Sequence, residues 1–270
     1  MSQGLTPAQR FHFDAYGYVL LPNVLSAAEV ASMKDALYRI KSEPNRESLG
    51  IYVNSDKEHI LHVGHIVEYD SALLNFVMHP RLLPLIEDVV GGAVRLEETE
   101  AIINRRNPAL DVAALRQRRL VPTGFHTGIR HGWGTYEANN RFQCLFVKTI
   151  AFLTDVGPQD GGTAVIPGSH KMSWPEPEMI AAAQEDESLI HQVEATAGSV
   201  LLFAESLIHS TTEIFSDNER LITVAGYTPT MFQPWPGNEI SPAFLETLPE
   251  DARRVLSGSD SWHWRRKSSN

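Results

Sequence analysis

The chain has 270 residues, 43% of them hydrophobic and 21% charged, enough to bury a sizeable core in one or two domains. Its 23 basic residues are outnumbered by 33 acidic ones, and the net charge of −10 argues against a general binder of nucleic-acid polymers. A single cysteine, Cys144, excludes an internal disulfide framework and any cysteine-based zinc or iron–sulfur site. With no apolar run near the roughly 20 residues of a membrane helix and no signal-peptide pattern, a soluble cytoplasmic protein without a membrane partner is expected.

In chain order, Thr6-Pro7 opens a helical turn, followed by a short strand over Tyr18–Leu21. A helix then begins at Ser26, whose pairing with Glu29 three residues later is a capping box, with Val30, Met33 and Leu37 as its apolar face. Residues 71–90 read as two short helices broken at His79-Pro80. From Arg95 the texture becomes strand-like: Arg95–Asn104, Gln143–Leu153, Ala164–Ile166, Ile190–Val193, Ser199–Phe203 and Leu221–Tyr227. Turn signals separate them (Gly157-Pro158, Asp160-Gly161-Gly162, Pro167-Gly168-Ser169, Ala197-Gly198), with one helical insertion over Glu178–Gln184. Short strands without alternating crossover helices predict a mainly β fold with flanking helices, an antiparallel barrel or jelly roll. The expectation is one domain over residues 1–270: a helical part to about 93, a jelly-roll core over about 94–230, and an extension over about 231–270 that ends in a frayed polar tail.

Eleven histidines are the compositional oddity. His59, His62 and His65 recur every three residues, which suits a helical turn or an extended pocket wall; His65 is read as reaching a substrate. The informative group is Phe125-His126-Thr127-Gly128 with Ile208-His209-Ser210-Thr211. Two neutral imidazoles at strand ends leave most of an octahedral metal open, as a redox site needs. Arg220, on the next predicted strand, offers a fork that grips a carboxylate reaching the same metal. Phosphate-loop, nucleophile-elbow, HExxH and dinucleotide-binding signatures are all lacking.

These residues lie within a longer pattern. Phe13-Asp14-Ala15-Tyr16-Gly17-Tyr18-Val19-Leu20-Leu21-Pro22, the run Gly161-Gly162-Thr163-Ala164-Val165-Ile166-Pro167-Gly168-Ser169-His170-Lys171, and Ala197-Gly198-Ser199-Val200-Leu201-Leu202-Phe203 together resemble the phytanoyl-CoA dioxygenase-like branch of the Fe(II)/2-oxoglutarate-dependent oxygenases. The resemblance implies a double-stranded β-helix (jelly roll, cupin-like) that uses Fe(II), 2-oxoglutarate and O2. His126 and His209 would hold iron, Arg220 would pair with the distal carboxylate of 2-oxoglutarate with help from Thr211, and Asn104 would meet the cofactor's other end. His170 is structural in that pattern.

One position departs from the family. Its triad is His-x-Asp/Glu…His, and here the carboxylate position is Gly128. The reading taken first is that Gly128 leaves an open position for chloride, as in halogenases of this class, so that an unactivated aliphatic carbon is chlorinated. The alternatives are a hydroxylase, with water or a carboxylate such as Glu137 filling the gap, and a non-catalytic cupin-like ligand-binding protein. The bland explanation of Gly128 is a backbone needing positive φ. A basic run near the metal loop (Arg105, Arg106, Arg116, Arg118, Arg119, Arg130) suggests a small anionic substrate. Arg130, His131 and Trp133 are its best contacts, and Tyr136 and Phe142 extend an aromatic platform. A deoxynucleoside monophosphate is the leading substrate guess. Lys148, a charge in an apolar strand, is expected to meet cofactor or substrate.

Overall fold

The computed structural model describes residues 4–115, 120–129, 134–138 and 140–258. Helix α1 (Pro7–Tyr16) is capped by Thr6, and Gly17 closes it at φ 85°. Strand β1 (Tyr18–Leu21) leads to α2 (Ala27–Ser42), where Ser26 and Glu29 make the expected capping box. A hairpin follows, β2 (Tyr52–Lys57) and β3 (Ile60–Gly64), so none of the histidine triplet is helical: His59 lies in the hairpin turn, His62 on β3, and His65 just past β3 at φ 58°. Helices α3 (Ser71–Val77) and α4 (Leu83–Val90) break at His79-Pro80, before the long β4 (Val94–Asn104) and the short α5 (Val112–Leu115).

The predicted strand over Gln143–Leu153 is two strands. A hairpin of β5 (Thr135–Ala138) and β6 (Arg141–Cys144) stands apart, and β7 (Val147–Phe152) joins the main sheet. The remaining strands are β8 (Thr163–Val165), β9 (His191–Gln192), β10 (Val200–Ala204), β11 (His209–Thr211) and β12 (Arg220–Pro229), with α6 (Glu176–Glu185) inserted between β8 and β9. Two helices absent from the sequence reading, α7 (Pro242–Thr247) and α8 (Glu250–Ser257), end the described chain. Leu256 of α8 is fully buried, so this part of the extension is packed, and the polar tail expected to fray, Arg265–Asn270, lies outside the described residues.

A seven-stranded sheet in the order β1-β10-β7-β12-β4-β3-β2 faces a three-stranded sheet in the order β11-β8-β9. This is the jelly roll that the strand spacing predicts. The period-two alternation of each strand assigns its side chains to one of three layers. On β10, Val200, Leu202 and Ala204 enter the core beneath the helices, while Leu201 and Phe203 point between the sheets; β12 divides likewise into Leu221, Ala225 and Tyr227 against Ile222 and Val224. The outer face of the small sheet, Ala164 and Ile208, is covered by Met179 and Ala183 of α6. The space between the sheets is apolar at one end and open at the other, where the site lies. No helix among the described residues is long and apolar enough to cross a membrane.

Candidate active site

The same parity fixes what lines the open end. Counting back from Ile222 on β12 brings Arg220 inward, and Asn104 lies opposite it on β4. Glu98, Glu100 and Ile102 share the face of Asn104, and Lys148 shares that of Ile150 on β7. Across from them, His209 and Thr211 of β11 and Thr163 of β8 close a cavity of about 370 Å³ that includes His126, Lys148, Asn104 and Arg220.

His126 sits on a segment that pairs with β11 by a single antiparallel bridge. His126 N–H donates to the His209 carbonyl at 2.9 Å and His209 N–H to that of His126 at 3.0 Å. The bridge brings the two rings to 4.4 Å between centroids. Each ring also contacts a backbone carbonyl through Nδ1, His126 at Gly124 O (3.2 Å) and His209 at Leu207 O (2.8 Å). A carbonyl only accepts, so Nδ1 carries the proton and Nε2 of each ring keeps its lone pair, the tautomer a metal ligand requires. Burial, with His126 nearby, pushes His209 down to about 3, and Phe203 packs edge-on against its ring at 4.9 Å.

Arg220 is buried. Its Nε donates to Asn104 Oδ1 at 3.1 Å and its Nη1 to the Gly161 carbonyl, while Nη2 is enclosed without a hydrogen-bond partner. Burial lowers this guanidinium to about 10. An enclosed donor with no acceptor is costly unless a ligand supplies one. A carboxylate group entering the cavity answers that need.

The gap beside Gly128 is filled. A Cβ built on Gly128 meets Glu205 Oε1 at 1.4 Å and Glu205 Cδ at 2.3 Å. The expectation of an open position is therefore corrected: a carboxylate from another part of the chain occupies it. Gly128 is not among the glycines with positive φ, so the glycine is needed for space rather than for backbone freedom. Glu205 follows the last residue of β10 on the inward parity of Phe203, and its backbone carbonyl accepts from Gly128 N–H at 3.1 Å. Its Oε1 pairs with Lys148 Nζ at 3.1 Å, and its buried Oε2 has no hydrogen-bond partner.

Lys148, at the cavity wall, pairs with two protein carboxylates, Glu98 at 2.5 Å besides Glu205. Burial depresses its ammonium, but Glu205, Glu98 and Glu100 outweigh that and hold it above the ordinary lysine range. Burial raises Glu205 despite Lys148. Glu100, in turn, meets His62 at 3.2 Å. Glu98, Glu100 and Glu205 thus outnumber Lys148 on this side of the site. Among the described residues, no three His, Cys, Asp or Glu side chains are gathered as they stand into a metal-holding group.

Of the residues singled out from sequence, His126, His209, Thr211, Arg220, Asn104 and Lys148 line the one cavity. Asn104 lines the cavity and accepts from Arg220 Nε, bracing the guanidinium. His65 does not line it: at φ 58° its ring turns to Glu68, 3.0 Å away, while its neighbours His59 and His62 reach the cavity wall. Glu137 is exposed on the β5–β6 hairpin. Tyr136 donates to Val90 O, and Phe142 packs on Phe13 and His170, so neither contributes to an aromatic platform at the cavity. Arg105 lies at the cavity rim, and Arg106 is turned to Asp217 at 2.6 Å. Arg116, Arg118, Arg119, Arg130, His131 and Trp133 lie outside the described residues. The sequence reading missed Glu98, Glu100 and Glu205; the signal for Glu205 was an acid one residue past an apolar strand on the parity of Phe203.

The phytanoyl-CoA dioxygenase (PhyH) family profile matches residues 13–222, which include the cavity's histidines and Arg220. The dioxygenase af480 of Aspergillus fumigatus is 24% identical over 252 residues, covering 91% of this chain and 75% of that protein. The L-proline trans-4-hydroxylase of Streptomyces griseoviridis is 23% identical over 270 residues, covering 88% of this chain and 94% of that one. Among solved structures, HygX from Streptomyces hygroscopicus with nickel and 2-oxoglutarate bound has a TM-score of 0.68 at 22% identity, covering 86% of this chain and 90% of its own. With the profile spanning residues 13–222, most of the chain, the chain belongs to the phytanoyl-CoA dioxygenase family.

Proposed function

We propose that this protein is an Fe(II)- and 2-oxoglutarate-dependent oxygenase that hydroxylates, or otherwise oxidises, an aliphatic C–H bond of a small molecule. The observation that carries this reading is the pairing of two imidazoles, both with Nε2 free, with a buried arginine donor that lacks an acceptor in the same cavity. His126 and His209 would hold the metal through Nε2, and Arg220 would grip the distal carboxylate of 2-oxoglutarate, with Asn104 fixing the guanidinium plane. Bound together, iron and 2-oxoglutarate supply the activation of O2 that C–H oxidation needs.

The remaining work is done by side chains. Burial keeps His209 neutral, and therefore a ligand, across the physiological range. Ile150, Phe203, Ile222 and Val224 form the apolar wall that keeps water from the reacting centre. Arg105 at the rim offers a place for an anionic group of the substrate. A nucleotide is not proposed, because Tyr136 and Phe142 are engaged elsewhere.

Halogenation, which Gly128 suggested, is the weaker reading on two counts. Chloride would need the volume that Glu205 fills, and it would meet the charge of Glu98, Glu100 and Glu205. The test is anaerobic loading with Fe(II) and 2-oxoglutarate, followed by a chloride titration of the metal-to-ligand charge-transfer band. The expected result is a band that forms in the wild type, is lost in His209→Ala, and ignores chloride. A saturable, halide-specific shift would restore the halogenase reading, and no band in folded, iron-supplied protein would leave the ligand-binding alternative.

A further inference from the structure

We infer that Glu205 supplies the carboxylate that residue 128 lacks, acting as the third protein ligand of the metal held by His126 and His209. This rests on the reading above and concerns the same site. In the family pattern the acid follows the first histidine by two residues; here it would come from the turn after β10, across the backbone hydrogen bond between Gly128 and Glu205.

Four observations converge on Glu205. Its Oε1 lies 1.4 Å from where the first side-chain carbon of residue 128 would stand, so the carboxylate already occupies the start of an aspartate's path toward the histidines. The chain does not require glycine at 128 for backbone reasons, since its φ is not positive; any side chain there would strike Glu205. The residue is 4% exposed, and its Oε2 has no hydrogen-bond partner, which for a buried carboxylate oxygen points to a missing cation or donor. Finally, Lys148 is already engaged by Glu98 at 2.5 Å, so one ammonium serves two carboxylates and a further positive charge is wanted.

Completing the ligand set takes one rearrangement of Glu205. With Oε1 on Lys148, Glu205 and the two histidines do not form a ready three-ligand group. Swinging the carboxylate from Lys148 toward the imidazoles completes the shell, and Glu98 stays behind to neutralise the lysine. Gly128 offers no side chain to stand in the way of that move.

The test reads metal affinity rather than turnover. Ni(II) binding is measured by calorimetry under anaerobic conditions for wild type, His209→Ala, Glu205→Gln and the transposed pair Gly128→Asp/Glu205→Ala, each checked for fold by circular dichroism. Wild type should bind one ion and His209→Ala should lose it. Glu205→Gln, which keeps the shape and removes the charge, should weaken binding roughly 10–100-fold. The transposed pair should return affinity to within a few-fold of wild type and carry the decision even where Glu205→Gln fails to fold. Unchanged affinity in Glu205→Gln beside loss in His209→Ala overturns this role while leaving the metal site intact. Weak binding in both Glu205 variants assigns Glu205 to holding Lys148 and also overturns it. Absence of binding by folded wild type removes the metal reading and this inference together.

Discussion

Replacing Gly128 by alanine puts one methyl carbon 1.4 Å from Glu205 Oε1, 2.3 Å from Cδ and 2.6 Å from Cγ, three contacts no folded protein tolerates. Since φ at 128 is not positive, alanine adds no backbone strain there, and the whole cost falls on Glu205. The carboxylate has to leave the gap and lengthen or lose its 3.1 Å pairing with Lys148, which retains Glu98. Overpacking of this kind costs about 1–3 kcal/mol. For a chain of this size that lowers the melting temperature by roughly 2–5 °C. The decisive measurement is a double-mutant cycle by urea unfolding. In a Glu205→Ala background the obstructing atoms Oε1 and Cδ are gone, so Gly128→Ala should cost less than about 0.5 kcal/mol. An equal cost of Gly128→Ala in both backgrounds would show that the glycine answers to something other than Glu205, and the account of the filled gap would fall.

Other perturbations probe separate parts of the molecule. Arg220→Lys replaces a buried fork by a point charge and loses the bond to Asn104, so 2-oxoglutarate affinity in the Ni(II)-loaded protein should fall roughly 10–100-fold, from about 1.5–3 kcal/mol per charged hydrogen bond. An unchanged dissociation constant by calorimetry removes Arg220 from the cofactor site. Glu97, buried beside Glu98, is pushed up to about 8, chiefly by desolvation. A carboxyl raised in the folded state stabilises fully below the ordinary carboxylate range, and that stabilisation is lost as pH climbs toward about 8. Glu97→Gln should therefore flatten the decline of unfolding free energy between pH 5 and 8 (approximate limits set by the ordinary and raised values), and an unaltered slope would refute the assignment. Ser26→Ala removes the Ser26 Oγ bond to Glu29 N–H at 3.3 Å and should cost about 1 kcal/mol of stability in the same unfolding assay, with no effect on metal binding; a neutral substitution would mean the first turn of α2 is held by packing alone.

How far the sequence was legible follows from which signals are local. The capping box at Ser26, the break at His79-Pro80 and the strand β4 are written in adjacent residues, and they stand where the sequence reading puts them. His126, His209 and Arg220 were recoverable because each sits in a patterned segment whose parity survives folding. The hairpin β2–β3 was ambiguous because Tyr52–Lys57 is an edge strand with little apolar alternation, and its neighbour carries histidines at a spacing that also fits a helical turn. The division of Gln143–Leu153 into β6 and β7 was hidden because only Leu145-Phe146 separate them, with no turn residue between, and only their pairing partners differ.

Gly128 is the instructive case, because its meaning is not stored at position 128. Read alone, a glycine in a ligand position signals a vacancy, a gap filled by water or by a carboxylate from elsewhere, or a backbone requirement, and position 128 itself does not choose among them. What decides is the occupant of the space a side chain would take, and that occupant is 77 residues away along the chain, held opposite by the bridge of His126 with His209 and by the Gly128–Glu205 backbone bond. The clue available in one dimension was the stretch Leu201-Leu202-Phe203-Ala204-Glu205, where the alternation that sends Leu201 and Phe203 between the sheets sends an acid after them. An acid at an inward position of an apolar strand needs a cation. Lys148 answers that need only in part, because it serves Glu98 as well. A missing carboxylate at one position and a surplus one facing it are therefore better read as one relocation than as two anomalies.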